Sequence, residues 1–314
     1  MMCRNGESML TCVNQGEVAS DLYLVGNDDV PVYLMKVGQQ SWALVEGGIT
    51  RHSDEVWLGV TEIVDPADIH WWLITHSHFD HCGVLAALYA RLPNVKVVAS
   101  RATAEHWQSE SANAVIRRLN QELHAQSIDV TKLSEIPIEV VNSPDRIVLG
   151  TQCRMDIIAT PGHAPDQIAY YDPDKKRLFC GDALGELHVE SMNWRPLMFD
   201  DVGEYLSSVS RLSCLDVEQL IPGHGGVVMG SEVRTFIESS NLAANLLITR
   251  YRRLVANEGD PDALASALTN DWAPNSATYI SSFLHTRSMK VMFSAIQRYL
   301  KVKQYEEPVG HHYG

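Results

Sequence analysis

The chain of 314 residues carries 39 acidic against 25 basic side chains, a net charge of −14, with 45% hydrophobic and 20% charged residues. That balance sustains a sizeable core and excludes wholesale disorder. So acidic a surface repels phosphate backbones and anionic lipid, which argues against a nucleic-acid or membrane partner.

The first 21 residues read as a polar tail without a continuous apolar stretch. No signal peptide is expected there, and the protein is expected in the cytoplasm. The longest apolar run, residues 84–90, falls far short of the ~20 residues a bilayer span needs. Cys3, Cys12, Cys82, Cys153, Cys180 and Cys214 form no CxxC pair and are expected to be reduced thiols, with Cys82 and Cys180 as small core residues.

Residues 23–25, 32–34 and 42–45 are apolar runs between turn residues and predict strands, the last closing on Glu46-Gly-Gly48. Residues 71–75 predict a central strand, 84–92 a helix broken at Pro93-Asn94, and 95–98 a further strand. This is a β-loop-α-β unit with residues 76–81 in its loop. A helix is expected over 103–125, then strands over 138–141, 147–149 and 153–160. Residues 167–171 and 177–180 predict a hairpin around Asp172-Pro173. A helix over 206–215 and a short strand over 219–221 lead into Pro222-Gly-His-Gly-Gly226. From about Ser231 helical stretches take over, at 241–255, 263–268 and 288–300, punctuated by residues 258–261 and 273–275. The expected organisation is a catalytic core over 1–230 and a helical extension over 231–314.

One motif dominates: His76-Ser-His78-Phe-Asp80-His81, directly after a strand. Three imidazoles and a carboxylate within six residues suit zinc, iron or manganese. Three later segments repeat one device, a strand, a glycine turn and a ligand-type side chain. They are Thr160-Pro-Gly-His163, Phe179-Cys-Gly-Asp182 and Ile221-Pro-Gly-His224.

HxHxDH followed by a His, an Asp and a His resembles the metallo-β-lactamase fold superfamily, over residues 22–226. The resemblance implies an α/β fold, the αβ/βα sandwich of two mixed sheets flanked by helices, with two metal ions at the sheets' shared edge. It implies that His76, His78 and His163 hold one metal, that Asp80, His81 and His224 hold the other, and that Asp182 bridges. Asp80 and Asp182 would also orient the attacking water. Asp182 stands where zinc β-lactamases carry a cysteine, and His78 where flavodiiron reductases usually carry glutamate. The hydrolases resembling glyoxalase II and the lactonases remain, acting on esters and thioesters.

Val45-Glu-Gly-Gly-Ile49, residues 73–83, 177–186 and 220–226, and Trp194-Arg-Pro-Leu197 are similar to one branch, the quinolone-signal response thioesterases. That resemblance implies hydrolysis of 2-aminobenzoylacetyl-coenzyme A to 2-aminobenzoylacetate, a precursor of 2-alkyl-4-quinolones. It further implies iron in the dinuclear site, a homodimer, and partnership with a LuxR-type quorum-sensing regulator. Glu186 would receive the substrate's amino group, and Ser288 would line the pocket from a helical lid. Trp194, Phe199 and His285 are candidates for an aromatic acyl pocket, and Arg252 and Arg253 for a dimer or partner surface. Residues 281–285 lack an acidic side chain expected of the branch. A glyoxalase II-like or lactone hydrolase, or a regulator-binding protein with secondary hydrolysis, are the competing readings.

Overall fold

Strands of β-branched and aromatic residues, interrupted by glycine and asparagine turns, set the order of elements. The computed structural model describes residues 9–11, 15–27, 29–123, 130–151, 153–188, 193–272 and 282–306. Cys3, Cys12 and the predicted break at 273–275 lie outside the described residues. The chain runs through β1 (Met9–Thr11), β2 (Gly16–Ala19), β3 (Leu22–Leu24), β4 (Tyr33–Gly38) and β5 (Ser41–Val45). Next come α1 (Ser53–Ile63), β6 (Ile69–Leu73), α2 (Gly83–Leu88), β7 (Lys96–Ser100), α3 (Arg101–Gln108), α4 (Glu110–Glu122) and β8 (Ile138–Val141). β2 to β8 form a seven-stranded sheet in chain order, antiparallel as far as β5 and parallel from β5 to β8. Parallel neighbours require crossovers, and α1, α2 and the α3–α4 pair supply them.

The second half adds β9 (Arg146–Leu149), β10 (Cys153–Ala159), β11 (Ile168–Asp172), β12 (Arg177–Gly181), β13 (Glu186–His188) and β14 (Asn193–Arg195). After these come α5 (Val202–Ser213), β15 (Gln219–Pro222), β16 (Val227–Met229), α6 (Val233–Ala256), α7 (Pro261–Trp272) and α8 (Ser282–Glu306). A second seven-stranded sheet runs β1-β16-β15-β12-β11-β10-β9, and β13 pairs with β14 beside it.

Alternation along the strands gives each sheet two apolar faces. Leu73, Val98 and Met35 of the first sheet meet Phe179, Tyr170 and Ile221 of the second between the sheets. Trp72 and Val97, one position along, face α1 and α2 through Val56, Val60 and Leu85. Leu178, Cys180 and Leu220 face α5 and α6, and Met289, Met292 and Phe293 of α8 join that same cluster. The fold is therefore the helix–sheet–sheet–helix sandwich that the resemblance implies, with helices α6 to α8 sharing the second outer layer. Among the described residues no helix is long and apolar enough to cross a membrane.

Two expectations change. The helix expected over 103–125 is two helices, because Ser109 adopts an extended conformation and its hydroxyl accepts from Ala112 N, capping α4; residues 124–125 lie outside the described ones. Helix α1 has no counterpart among the expected elements. Its Gly59, Val56, Val60 and Thr61 are weak helix formers, and packing against Val25 and Leu85 overrides that propensity.

A buried cation ties the sheets together. Arg177, fully buried at the start of β12, donates to both Asp21 carboxylate oxygens at 3.0 and 2.7 Å and to Gln219 Oε1 at 2.8 Å. Lys175 reaches Asp21 at 2.6 Å. Burial opposes ionisation of Asp21, but Arg177 and Lys175 outweigh it and hold its carboxyl below 3.8. Asp21→Asn, which leaves the guanidinium buried beside an amide, is expected to cost about 3 kcal/mol at pH 7 in urea unfolding. A lowered carboxylate pKa contributes stability above the ordinary value and loses it as pH falls through the folded one. The gap to wild type should therefore stay constant down to about pH 4 and close only below it; a gap that closes near pH 6 would refute the assignment.

Candidate metal centre

The ligand-type side chains sit where strands end. His76 follows β6, His163 follows β10, Asp182 follows β12 and His224 follows β15, while His78, Asp80 and His81 occupy the loop between β6 and α2. The ends of strands from both sheets thus meet at one edge. His76, His78 and His163 form one group of donor atoms, Asp80, His81 and His224 a second, and His76, His81 and Asp182 a third, each within 4.8 Å. Asp182 stands between them, Oδ2 3.2 Å from His163 Nε2 and Oδ1 3.5 Å from Nε2 of both His81 and His224. His224 Nε2 lies 3.8 Å from Asp80 Oδ2 and His78 Nδ1 2.9 Å from His163 Nε2.

Outward-facing nitrogens are fixed by acceptors. His163 Nδ1 donates to Leu197 O at 2.8 Å and His224 Nδ1 to Asp29 O at 2.6 Å, since a carbonyl can only accept. Thr75 Oγ1 donates to Glu46 Oε1 at 2.8 Å, so His76 Nδ1 is the donor in its 3.0 Å contact with Thr75. Glu46 Oε2 accepts a hydrogen bond from His81 Nδ1 at 2.9 Å. Each ring then turns Nε2 into the cluster. There the buried His76 Nε2, His81 Nε2 and Asp182 Oδ1 have no hydrogen-bond partner, a desolvation cost that a bound cation removes.

Charge follows the same plan. Burial, then the neighbouring imidazoles, hold His76 well below the ordinary histidine range, and burial pushes His163 down to about 3. Both are neutral, as a metal ligand must be. Burial opposes protonation of His81 and His224 as well, but carboxylates win there. Glu46 and Asp182 raise His81, and Asp182 raises His224 to about 9. Burial works against ionisation of Asp182 too, yet His224, His81 and His163 keep it well below the usual carboxylate range. The cluster calls for positive charge, and its His and Asp donors suit a dinuclear metal site.

Gly223 leaves the room the cluster needs, because a Cβ there would stand 2.3 Å from Asp182 Oδ1. Beside the cluster opens a cavity of about 300 Å³, lined by His78, Asp80, His163 and Asp182, by apolar Phe79, Leu119, Leu197 and Phe199, and by Ser288 and Val291 of α8. Phe199 lies 5.1 Å from the His163 ring. Ser288 sits inside α8, donating to His285 O at 2.7 Å and accepting from Arg195. Arg195 also donates to Glu186 at 3.2 Å, and both are buried. Glu186, Trp194 and His285 do not line the cavity. Trp194 packs against Phe236, and His285 is buried on α8. Arg252 and Arg253 are exposed on α6, Arg252 beside Lys301 and Lys303. Cys82 and Cys180 are buried free thiols.

Sequence reading misses Glu46, Thr75 and Arg195. Glu46 is visible only as the residue before a Gly-Gly turn, and Arg195 only within Trp194-Arg-Pro-Leu197. Glu46→Gln would present an amide NH₂ to groups that are themselves donors. It is expected to weaken metal binding about 10- to 100-fold in competition with a chromogenic chelator; unchanged affinity would exclude this relay.

Residues 25–224 match the sequence profile of the Metallo-beta-lactamase superfamily. Over 166 residues the chain is 29% identical to the acyl-coenzyme A thioesterase MBLAC2 of Bos taurus, covering 48% of this chain and 54% of that protein. It is 31% identical over 110 residues to the hydroxyacylglutathione hydrolase of Thermosynechococcus vestitus, covering 35% of this chain and 32% of that protein. The chain spans about a third to a half of the length of these curated relatives. A solved metallo-β-lactamase family protein from Thermus thermophilus shares the fold, with a TM-score of 0.64 and 22% identity over 92% of this chain and 95% of that one. With the profile spanning most of its length and the donor cluster at its sheet edge, this chain belongs to the metallo-β-lactamase superfamily.

Proposed function

We propose that the chain is a thioesterase with two metal ions that hydrolyses 2-aminobenzoylacetyl-coenzyme A to 2-aminobenzoylacetate. The observation that carries this reading is the cavity itself. It joins the metal cluster to an apolar wall under α8, with the buried Arg195 at its edge holding Glu186 and Ser288. Phe199, Leu197 and Leu119 offer an aryl group an apolar surface, while Glu186, the acceptor that the branch resemblance implies for its amino group, stands behind the lining, held by Arg195.

Two bound cations supply Lewis acidity and hydroxide at neutral pH. The chain's part is to hold them through His76, His78, His163, Asp80, His81 and His224, with Asp182 between. Asp80 and Asp182 would orient the attacking water. Phe79, Leu119 and Phe199 exclude bulk water from the acyl group, and a departing thiolate needs no strong general acid. Iron is favoured by the branch resemblance, while the same donors suit zinc and manganese. The further parts of the proposal are a cytoplasmic homodimer, a core over 1–230 with an extension over 231–314, and a LuxR-type regulator meeting Arg252 and Arg253. A glyoxalase II-like reading is the second choice, supported by the hydroxyacylglutathione hydrolase relative.

The test is thiol release from 2-aminobenzoylacetyl-coenzyme A beside lactoylglutathione and an acyl-homoserine lactone, with metal content measured. Selective release that drops at least about a hundredfold in a folded Asp182→Asn variant is the expected result. Preference for lactoylglutathione would favour the second reading and overturn the first.

A further inference from the structure

The rim of the cavity carries charge that hydrolysis does not use. Apart from Asp80 and Asp182, its charged lining residues are three arginines, Arg118, Arg195 and Arg287, in a chain of net charge −14. Arg195 is buried and committed to Glu186 and Ser288. The other two are exposed and come from different elements, Arg118 from α4 and Arg287 from α8. Arg118 meets Glu122 at 3.6 Å in a helix-surface pair with both side chains more than half exposed, an interaction weak enough to yield to a ligand. Arg287 forms no ion pair among the described residues.

The geometry points to Arg118 and Arg287 as a clamp for an anionic group on the substrate's leaving thiol. The inference rests on the thioesterase reading. The cluster floor takes the reacting carbonyl and the apolar wall takes the acyl group, so the solvent-facing rim meets the thiol carrier. Guanidinium groups pair bidentately with phosphate and carboxylate oxygens, and two exposed ones lining the same cavity focus anions toward it. The substrate class is therefore a thioester whose carrier is negatively charged, phosphorylated as in coenzyme A or carboxylated as in glutathione. An uncharged ester offers this rim nothing to hold.

The experiment compares one acyl group, benzoylacetyl, on coenzyme A, on glutathione and on uncharged N-acetylcysteamine. The metal-loaded full chain and its Arg118→Gln/Arg287→Gln double variant are assayed, with the exposed Arg234→Gln as a control for loss of a surface cation remote from the cavity lining. The double variant is expected to raise KM for the charged carriers about tenfold or more with kcat within about twofold. The neutral thioester should lose less than about twofold in kcat/KM. A larger loss on the coenzyme A thioester assigns the rim to phosphate, and a larger loss on glutathione assigns it to carboxylate. A parallel loss on the neutral thioester, an unchanged KM for both charged ones, or an equal effect of Arg234→Gln would overturn the clamp. Should no thioester turn over, the thioesterase reading fails by itself. Calorimetric binding of free coenzyme A and glutathione then decides the clamp. Binding about tenfold weaker in the double variant supports it, and equal binding, or none to wild type, overturns it.

Discussion

The site depends on one carboxylate held in an unfavourable backbone conformation. Glu46 has φ of 67°, a region that side-chain-bearing residues enter at a cost of about 1–3 kcal/mol. It stays there because both of its peptide groups are engaged. Its N–H donates to Leu73 O at 3.0 Å, and its carbonyl accepts from Trp72 Nε1 at 2.8 Å. Both partners belong to β6, the strand that runs into His76. The same strand therefore places the first candidate ligand and locks the residue that orients two of them. Through Thr75, Glu46 sets which nitrogen of His76 carries the proton, and directly it sets that of His81.

The sandwich makes such a site affordable because each sheet contributes strand ends rather than free loops. His163, Asp182 and His224 leave β10, β12 and β15, whose registers are fixed by ladder pairing across the second sheet. Arg177 and Gln219 open β12 and β15, the two strands whose other ends carry Asp182 and His224. Their tie to Asp21 near β3 therefore bears on how the two sheets' edges stand relative to each other. Packing of Phe179 and Ile221 against Leu73 does the same through the interior.

Much of this was legible in the sequence for a physical reason. Donor side chains that share one loop, as His76 to His81 do, leave a contiguous trace, and glycine before His163, Asp182 and His224 marks sharp turns at strand ends. What was illegible lacks such a trace. Asp29 and Leu197 act through backbone carbonyls, which any residue supplies. Glu46 stands 30 residues before the histidine it reaches through Thr75, and Arg195 meets Ser288 across 93 residues. The break at Ser109 and the helix over Ser53–Ile63 were hidden because capping and packing, not periodicity, decide them.

Charge completes the account. Glu46, Asp80 and Asp182 bring three carboxylates to a largely buried edge, and unpaired they would oppose folding. Protons on His81 and His224 answer part of that charge, since carboxylates raise both imidazoles against the pull of burial. The nitrogens that hold those protons are the ones turned toward Asp182, so a proton and a metal ion compete for the same lone pairs. His76 and His163, kept neutral by burial and their neighbours, impose no such competition. The two triads therefore differ in kind. His76 and His163 carry no extra proton that a cation would displace, whereas His81 and His224 must release protons to accept one. That difference follows from where Glu46 and Asp182 stand, and it makes the second position the more pH-sensitive of the two.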